Sequence, residues 1–235
     1  MTILSKTSKF SIVQACDSMV SVEFEERVDP AVNILAVSLG AALRRVMLCG
    51  VRDIVPSYRA VAVYFDPIHT SLEKLVSEIE RLASCKPEGS FSQRPPIEIP
   101  VCYGGEYGLD LVKVAEHLGY SVSEVVDRHT KPIYLVYMVG FLPGFAYMGN
   151  TDTKIDIPRH QTPRVRVPAG SVGLAGEQTG IYPMEMPGGW QLIGRTSLKP
   201  FDLSRADPFL FKPGDHIRFV SVTPERYRDG CISSS

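Results

Sequence analysis

The sequence predicts an α+β protein: a small α/β N-terminal half followed by a strand-rich C-terminal half. Three observations carry this. Long apolar stripes at helical spacing occur only in the first 90 residues. Ten of the 19 glycines fall between Gly140 and Gly194, so the back half is built from turns and close backbone approaches. Between Lys86 and Pro100 lies a Pro/Gly/Ser/Gln stretch with Pro87, Pro95, Pro96 and Pro100, which excludes helix and has no hydrophobic pattern. The expected boundaries are 1–90 and 91–235.

Val20, Val22 and Phe24 alternate with Ser21, Glu23 and Glu25, the period of a strand with one wet face. Asp29-Pro30 is a helix start, since Asp can cap free N–H groups and Pro fits the first turn. Val32, Leu35, Leu39, Leu43 and Val46 form the stripe of that helix, with Gly50 placed to end it. Two extended segments follow, Val51–Ser57 and Arg59–Asp66. A second helix opens near Thr70 or Ser71 and carries Leu72, Leu75, Val76, Ile79, Leu82 and Ala83 on one face. The order β-α-β-β-α resembles most of a ferredoxin-like split βαβ unit.

Past the break, Ile97–Tyr103 is a strand. One short helix runs from about Leu109 to His117 and stops at Gly119. Another opens at Ser121, with Glu124 completing a capping box. Ile133–Val139 is a continuous apolar strand. The short extended pieces beyond it, broken by Pro and Gly, predict a β-barrel or sandwich.

Composition narrows the function classes. Hydrophobic residues are 44% and charged residues 22%, as in globular domains, with a formal net charge of −1. A phosphate-neutralising protein carries a basic excess, so nucleic acid is not an expected partner. Five widely spaced cysteines without C-x-x-C argue against a disulfide framework or zinc site and for a reducing compartment. The N-terminus lacks an apolar h-region, and the longest apolar run, Tyr134–Leu142, is about half a membrane span. The expected location is cytoplasmic, with no membrane partner.

Generic catalytic signatures are missing. The sequence holds no G-x-x-x-x-G-K-[ST], no G-x-G-x-x-G after a strand and no G-x-S-x-G. His69, His117, His129, His160 and His216 never fall at metal-ligand spacing, so no metal site is recognised.

Specific motifs are concentrated between Gly140 and Thr196: GFLPGFAYMGN (Gly140–Asn150), TPRVRVPAGSVGLAGEQTGIYP (Thr162–Pro183) and PGGWQLIGRT (Pro187–Thr196). With YGGEYGLDL (Tyr103–Leu111), His129 and PGDHIRF (Pro213–Phe219), they resemble the family of the 5-oxoprolinase B subunit and KipI, also known as allophanate hydrolase subunit 1. The same family contributes to the carboxyltransferase region of urea carboxylases. Leu109, Ala146 and Met186 depart from the family's usual Pro, Pro and Ser, and Met186 is the departure that can alter a pocket.

The resemblance implies a cyclophilin-like β-barrel behind the small α/β domain. It also implies partner subunits: a second, carboxyltransferase-like one (the C subunit) and, in 5-oxoprolinase, a third (the A subunit). There, ATP hydrolysis drives opening of 5-oxoproline to glutamate, with ATP contacts shared among the subunits. The KipI branch implies a histidine kinase as partner, and the urea carboxylase branch implies carboxyl transfer.

Within this frame, PRVRVP as a strand puts Arg164 and Arg166 on one face and two valines on the other, offering forked donors to an anion; ordinary surface ion pairs are the plain alternative. The loop Gly176-Glu177-Gln178-Thr179-Gly180 can present three polar side chains to a lactam, or be a polar hairpin tip. Arg166, Gln178 and His129 are the catalytic candidates, although a lone His near a helix end is more often a hydrogen bonder. Arg164, Glu177, Thr179, Tyr182, Trp190 and Arg195 are the substrate-binding candidates, with core packing an equal reading for Tyr182 and Trp190. Phe141, Pro143, Phe145 and Tyr147 form a rigid aromatic loop suited to docking a partner. Gly170, Ser171 and Gly173 admit close backbone approach, most simply within the barrel.

Overall fold

In the computed structural model, residues 2–85, 95–149 and 153–230 are described. The chain divides into two units, residues 1–93 and 94–235.

The N-terminal unit contains β1 (Thr2–Lys6), β2 (Ser11–Cys16), β3 (Met19–Glu23), α1 (Pro30–Val46), β4 (Val51–Pro56), β5 (Ala60–Phe65) and α2 (Leu72–Ser84). Its sheet has the order β1-β2-β3-β5-β4, with every neighbouring pair antiparallel. The expected β-α-β-β-α order is present as β3-α1-β4-β5-α2, and β1 and β2 precede it. Val20, Val22, Val61, Val63 and Phe65 make the buried face, against Val32, Leu39 and Leu43 of α1 and Leu75 and Ile79 of α2.

Asp29 caps α1 by accepting from the N–H groups of Ala31 (2.7 Å) and Val32 (3.4 Å), and Pro30 opens the helix. The helix does not wait for Gly50. It ends at Val46, and Met47 is the left-handed cap (φ 49°), while Gly50 sits in the turn into β4. Val46 is exposed rather than part of the buried stripe. Met47 is 85% exposed, so its side chain contributes little to offset the backbone strain. Met47→Gly is expected to stabilise the fold by roughly 0.5–1 kcal/mol, seen as a higher urea midpoint at unchanged slope.

The C-terminal unit contains β6 (Ile97–Tyr103), α3 (Leu111–Leu118), α4 (Val122–Thr130), β7 (Tyr134–Val139), β8 (Ala146–Gly149), a 3-10 turn, β9 (Arg164–Val167), β10 (Ser171–Ala175), β11 (Gln178–Ile181), β12 (Met186–Gly188), β13 (Gln191–Arg195), β14 (His216–Ser221) and α5 (Pro224–Arg228). Seven strands close a barrel in the order β10-β11-β8-β7-β14-β6-β13, with β10 pairing back to β13. Of the alternatives left open by the sequence, the barrel is the one formed. β9 and β12 pair separately as a two-stranded ribbon.

The barrel core joins Val101, Val136, Met148, Val172, Leu174 and Ile217 to Leu111, Val114 and Val125 of the two helices. Helix α3 starts after Asp110, and Leu109 is exposed outside it. The capping box of α4 is present in both directions, from Glu124 N–H to Ser121 and from Ser121 N–H to Glu124. The Pro/Gly-rich break over 86–94 lies outside the described residues, as does Cys231.

Candidate active site

A second apolar cluster in the C-terminal unit gathers Phe145, Val167, Tyr182, Met186, Trp190 and Leu192, with Tyr147 packed against it. Its rings meet edge to face. Phe145 lies 4.8 Å from Tyr147, 5.6 Å from Tyr182 and 5.6 Å from Trp190 between centroids. Glycine makes the room for them. A Cβ on Gly173 would come within 2.9 Å of the Trp190 Cβ, and one on Gly188 would meet the Tyr182 hydroxyl at 2.5 Å. Of the glycines expected to admit close approach, Gly173 does so to Trp190, whereas Gly170 does so to the backbone carbonyl of Thr196. Met186, the departure singled out in the sequence, is part of the same wall.

Cations border this group. The Arg159 guanidinium stands 5.7 Å over the Trp190 ring. Beside it, Arg164 Nη2 donates to Asp110 Oδ1 at 2.5 Å, and its Nη1 lies 2.8 Å from His160 Nε2. The Asp110 carboxylate, 2% exposed, also accepts from the Leu192 N–H at 2.7 Å and lies 3.2 Å from His160 Nε2. Burial pushes the Asp110 carboxyl up, but the bonds from Arg164, Leu192 and His160 outweigh it and hold the carboxyl below its usual value. An arginine cannot accept, so when Arg164 Nη1 donates to His160 that nitrogen is bare. When the nitrogen carries a proton, it turns to Asp110 instead.

His129 lies inside the barrel, fully buried. Its Nδ1 is 2.7 Å from the Tyr103 hydroxyl and its Nε2 is 2.9 Å from Thr179 Oγ1. Thr179 has one hydroxyl proton and gives it to the Gly173 carbonyl (3.1 Å), so it accepts from His129 Nε2–H, and Tyr103 donates to the bare Nδ1. Burial lowers the imidazole pKa to about 3. His129 is therefore neutral, and both of its nitrogens are engaged by the protein.

The remaining expected residues are placed as follows. PRVRVP forms the expected strand over Arg164–Val167, but its two arginines have different partners. Arg164 turns to Asp110, while the exposed Arg166 makes a two-pronged pair with Glu185 at 2.9 Å per bond. Val167 is buried and Val165 is 82% exposed, because cover from the aromatic cluster reaches only the Val167 end of this two-stranded ribbon. Glu177 is exposed, Gln178 half-buried and Thr179 buried in the His129 relay. Arg195 has a separate set of partners, the Glu106 carbonyl (3.4 Å) and the Tyr107 ring (5.8 Å). In the aromatic loop Phe141 and Pro143 are exposed, Tyr147 is half-buried and Phe145 is buried. Phe141 holds φ 71°, a strained conformation for an aromatic residue.

Arg164, Tyr182 and Trp190 are thus brought together, and Asp110, His160 and Arg159 join them. The last three escaped sequence reading because they are isolated residues with no local spacing signal. Among the described residues no cluster of three His, Cys, Asp or Glu could hold a metal ion, and no helix is long and apolar enough to cross a membrane.

Residues 10–211 match the carboxyltransferase domain, subdomain C and D, which is more than half of the chain. The chain belongs to this family. Its curated relatives include the 5-oxoprolinase B subunit of Bacillus subtilis (strain 168), 38% identical over 232 residues that cover 94% of this chain and 96% of the relative. The corresponding subunit of Escherichia coli O157:H7 is 49% identical over 150 residues, covering 64% and 66% of the two chains. The family resemblance carried by the motifs is therefore the one found.

Among solved structures, TTHA0988 is 38% identical with a TM-score of 0.80 over 88% of this chain, which spans 41% of that longer chain. A conserved uncharacterized protein of Pyrococcus horikoshii, PH0987, is 40% identical, with coverage of 92% and 99% and a TM-score of 0.56. The K. lactis urea amidolyase, at 20% identity and a TM-score of 0.75, shares the fold across 97% of this chain and 16% of its own.

Proposed function

We propose that this chain is one component of an ATP-dependent 5-oxoprolinase that opens 5-oxoproline to glutamate together with its A and C partner subunits. The observation that carries this reading is the end-to-end match to the Bacillus subtilis B subunit, 94% of one chain against 96% of the other. In this reading the two units are a ferredoxin-like α/β domain (1–90) and a cyclophilin-like barrel (91–235), and the complex is cytoplasmic.

A lactam carbonyl is stabilised by resonance and resists water. Transfer of the ATP γ-phosphoryl group to the lactam oxygen releases ADP and makes the carbon electrophilic. Water adds, and the ring C–N bond breaks with the nitrogen taking a proton. A second water cleaves the remaining acyl phosphate to glutamate and phosphate. The sequence has no P-loop signature, so in this reading the contacts to ATP, a co-substrate, are shared with the partner subunits or use a site of another kind.

We place a small ring bearing negative charge at the outer edge of the aromatic cluster, beside the half-buried Tyr147 and the partly exposed Arg164, with the buried Tyr182 and Trp190 forming the packed wall behind it. Arg166 and Gln178 are not fully buried and are the groups we assign to charge developing at the lactam. His129 acts through Thr179 as a positioning residue. Phe141 and Pro143, exposed on a strained loop, are the partner-docking points.

Carboxyl transfer is a second reading, favoured by the 23% identity over 199 residues to a putative urea carboxylase of Emericella nidulans. A KipI-like grip on a histidine kinase would use the exposed Phe141.

The test is reconstitution with the A and C partners, followed by an assay of 5-oxoproline-dependent ATP hydrolysis. A folded complex without turnover overturns the reading. Arg166→Ala separates chemistry from folding: its ion pair is exposed, so stability changes by less than about 1 kcal/mol, while turnover falls roughly tenfold or more if Arg166 meets the developing charge. Urea denaturation and initial rates on the same preparation read both.

A further inference from the structure

The end of the N-terminal unit where α1 hands over to β4 holds a residue that folding alone does not call for. Met47 closes α1 in the left-handed region (φ 49°, ψ 52°), where glycine is relaxed and a side chain is strained. At 85% exposure its own packing cannot offset that strain. Backbone strain of this kind clusters at binding sites, and a flexible methionine adapts to the shape of a partner.

Two grooves open beside it. One, of about 350 Å3, is lined by Met47, Leu48, Arg44 and Asp53 among others; the second, of about 450 Å3, includes Leu48, Ile68, His69 and Lys74. Leu48 belongs to both. The two loops that frame them are tied together, since the Asp66 N–H donates to the Gly50 carbonyl at 2.7 Å and Arg52 pairs with Asp66 at 2.6 Å. Ile68, 89% exposed on the second loop, gives this surface another apolar point.

Its charge is one-sided. Asp66 takes Arg52 and lies 3.1 Å from His69, which leaves Arg44 and Lys74 against Asp53 among the described residues lining the grooves. Arg44 donates to the Ile54 carbonyl, and Asp53 accepts from the Ile54 N–H at 2.7 Å, so the edge of β4 is closed to an added strand at this point. A partner must therefore enter with side chains, apolar ones into the grooves and a carboxylate toward the cations. A second copy of this chain fits poorly, because the same cationic rim would face itself across a two-fold axis. An anionic bilayer supplies charge but no side chains to fill two concave grooves.

We propose that Met47, Leu48, Ile68 and Lys74 form a docking surface for an acidic segment of a partner subunit, one that carries an aliphatic or aromatic side chain beside an Asp or Glu. This rests on the 5-oxoprolinase reading and deepens it: a chain that joins two different subunits needs two contact surfaces, and the Phe141 loop of the C-terminal unit supplies the other.

The test titrates the purified A and C subunits, each in turn, against the full chain by calorimetry at low and at physiological salt. One subunit is expected to bind Met47→Gly, Ile68→Asp and Lys74→Glu more weakly by roughly tenfold or more, as loss of an apolar anchor or of a charge pair predicts. Its affinity should fall as salt rises, and Phe141→Ala should leave it unchanged. Met47→Gly is the decisive variant. It relieves the strain and raises the urea midpoint, so weaker binding by a more stable chain cannot come from misfolding.

Affinities for both subunits that none of the three variants alters overturn the proposal and leave the 5-oxoprolinase reading standing. Binding to phosphatidylglycerol vesicles that the variants abolish, with subunit affinities unaltered, overturns it in favour of a lipid contact. A folded, unaltered chain that binds neither subunit, separately or together, removes the 5-oxoprolinase reading and this proposal with it.

Discussion

Asp110→Ala is expected to lower the unfolding free energy by about 3 kcal/mol, the lower end of what breaking a buried ion pair costs. The carboxylate is 2% exposed and is reached from distant parts of the chain by Arg164, by the Leu192 N–H and, when its Nε2 carries a proton, by His160. Truncation leaves the Leu192 amide inside the protein without its acceptor, a loss of roughly 1–3 kcal/mol by itself. It also leaves Arg164 without its carboxylate, but that side chain is 28% exposed and recovers water, which keeps the total from the top of the range. Asp110→Asn tests the charge separately. Its amide oxygen can keep the Leu192 bond while its NH2 group faces Arg164, donor against donor, so little stability should return. Urea unfolding followed by Trp190 emission measures both variants, and an Asp110→Ala midpoint equal to that of the unaltered chain would show that the network does not hold this part of the barrel.

The Asp110 network also shows what can and cannot be read from a sequence. Helix α1 is legible because its cap, its N1 proline and its apolar stripe are neighbours in the chain. The capping box of α4 is legible because Ser121 and Glu124 are three residues apart. Strand β2 is not, because Ile12 and Val13 are adjacent and both buried, which breaks the two-residue period, and its partner β1 is a mostly polar edge. Asp110 and His160 are 50 residues apart and meet only after α3 and β13 have packed, so no local spacing betrays them. The glycine-rich motifs announced close approaches, but whether a ring, a strand or a ligand fills them is decided by tertiary packing. Likewise PRVRVP reads as one two-arginine face, and nothing local in the sequence tells that Arg164 pairs with Asp110 and Arg166 with Glu185.

Acid should weaken the fold well before the ordinary carboxylates titrate, because of His129. Its imidazole is enclosed by Phe219 at 4.5 Å, Tyr134 at 5.5 Å and Tyr103 at 5.7 Å between centroids. Neither nitrogen faces an anion. Nε2–H is given to Thr179, Nδ1 takes the Tyr103 proton, and a second proton would place an unpaired charge in the barrel interior. In the folded chain this holds the pKa at about 3, against 6.5 for the free side chain. The unfolded chain therefore binds a proton that the folded chain refuses throughout that window, and stability must fall as pH drops from 6.5 toward 3. The slope from this one group approaches about 1.4 kcal/mol per pH unit once the unfolded histidine is fully charged. Between pH 6.5 and 5, above the Asp and Glu range, the loss should be on the order of 1 kcal/mol. His129→Gln keeps a donor for Thr179 but cannot be protonated, so it should be less stable at neutral pH yet nearly flat over the same interval. Urea midpoints of both chains across that interval decide the matter: parallel acid slopes would mean that the buried imidazole does not stay neutral, and the Tyr103–His129–Thr179 relay would have to be abandoned.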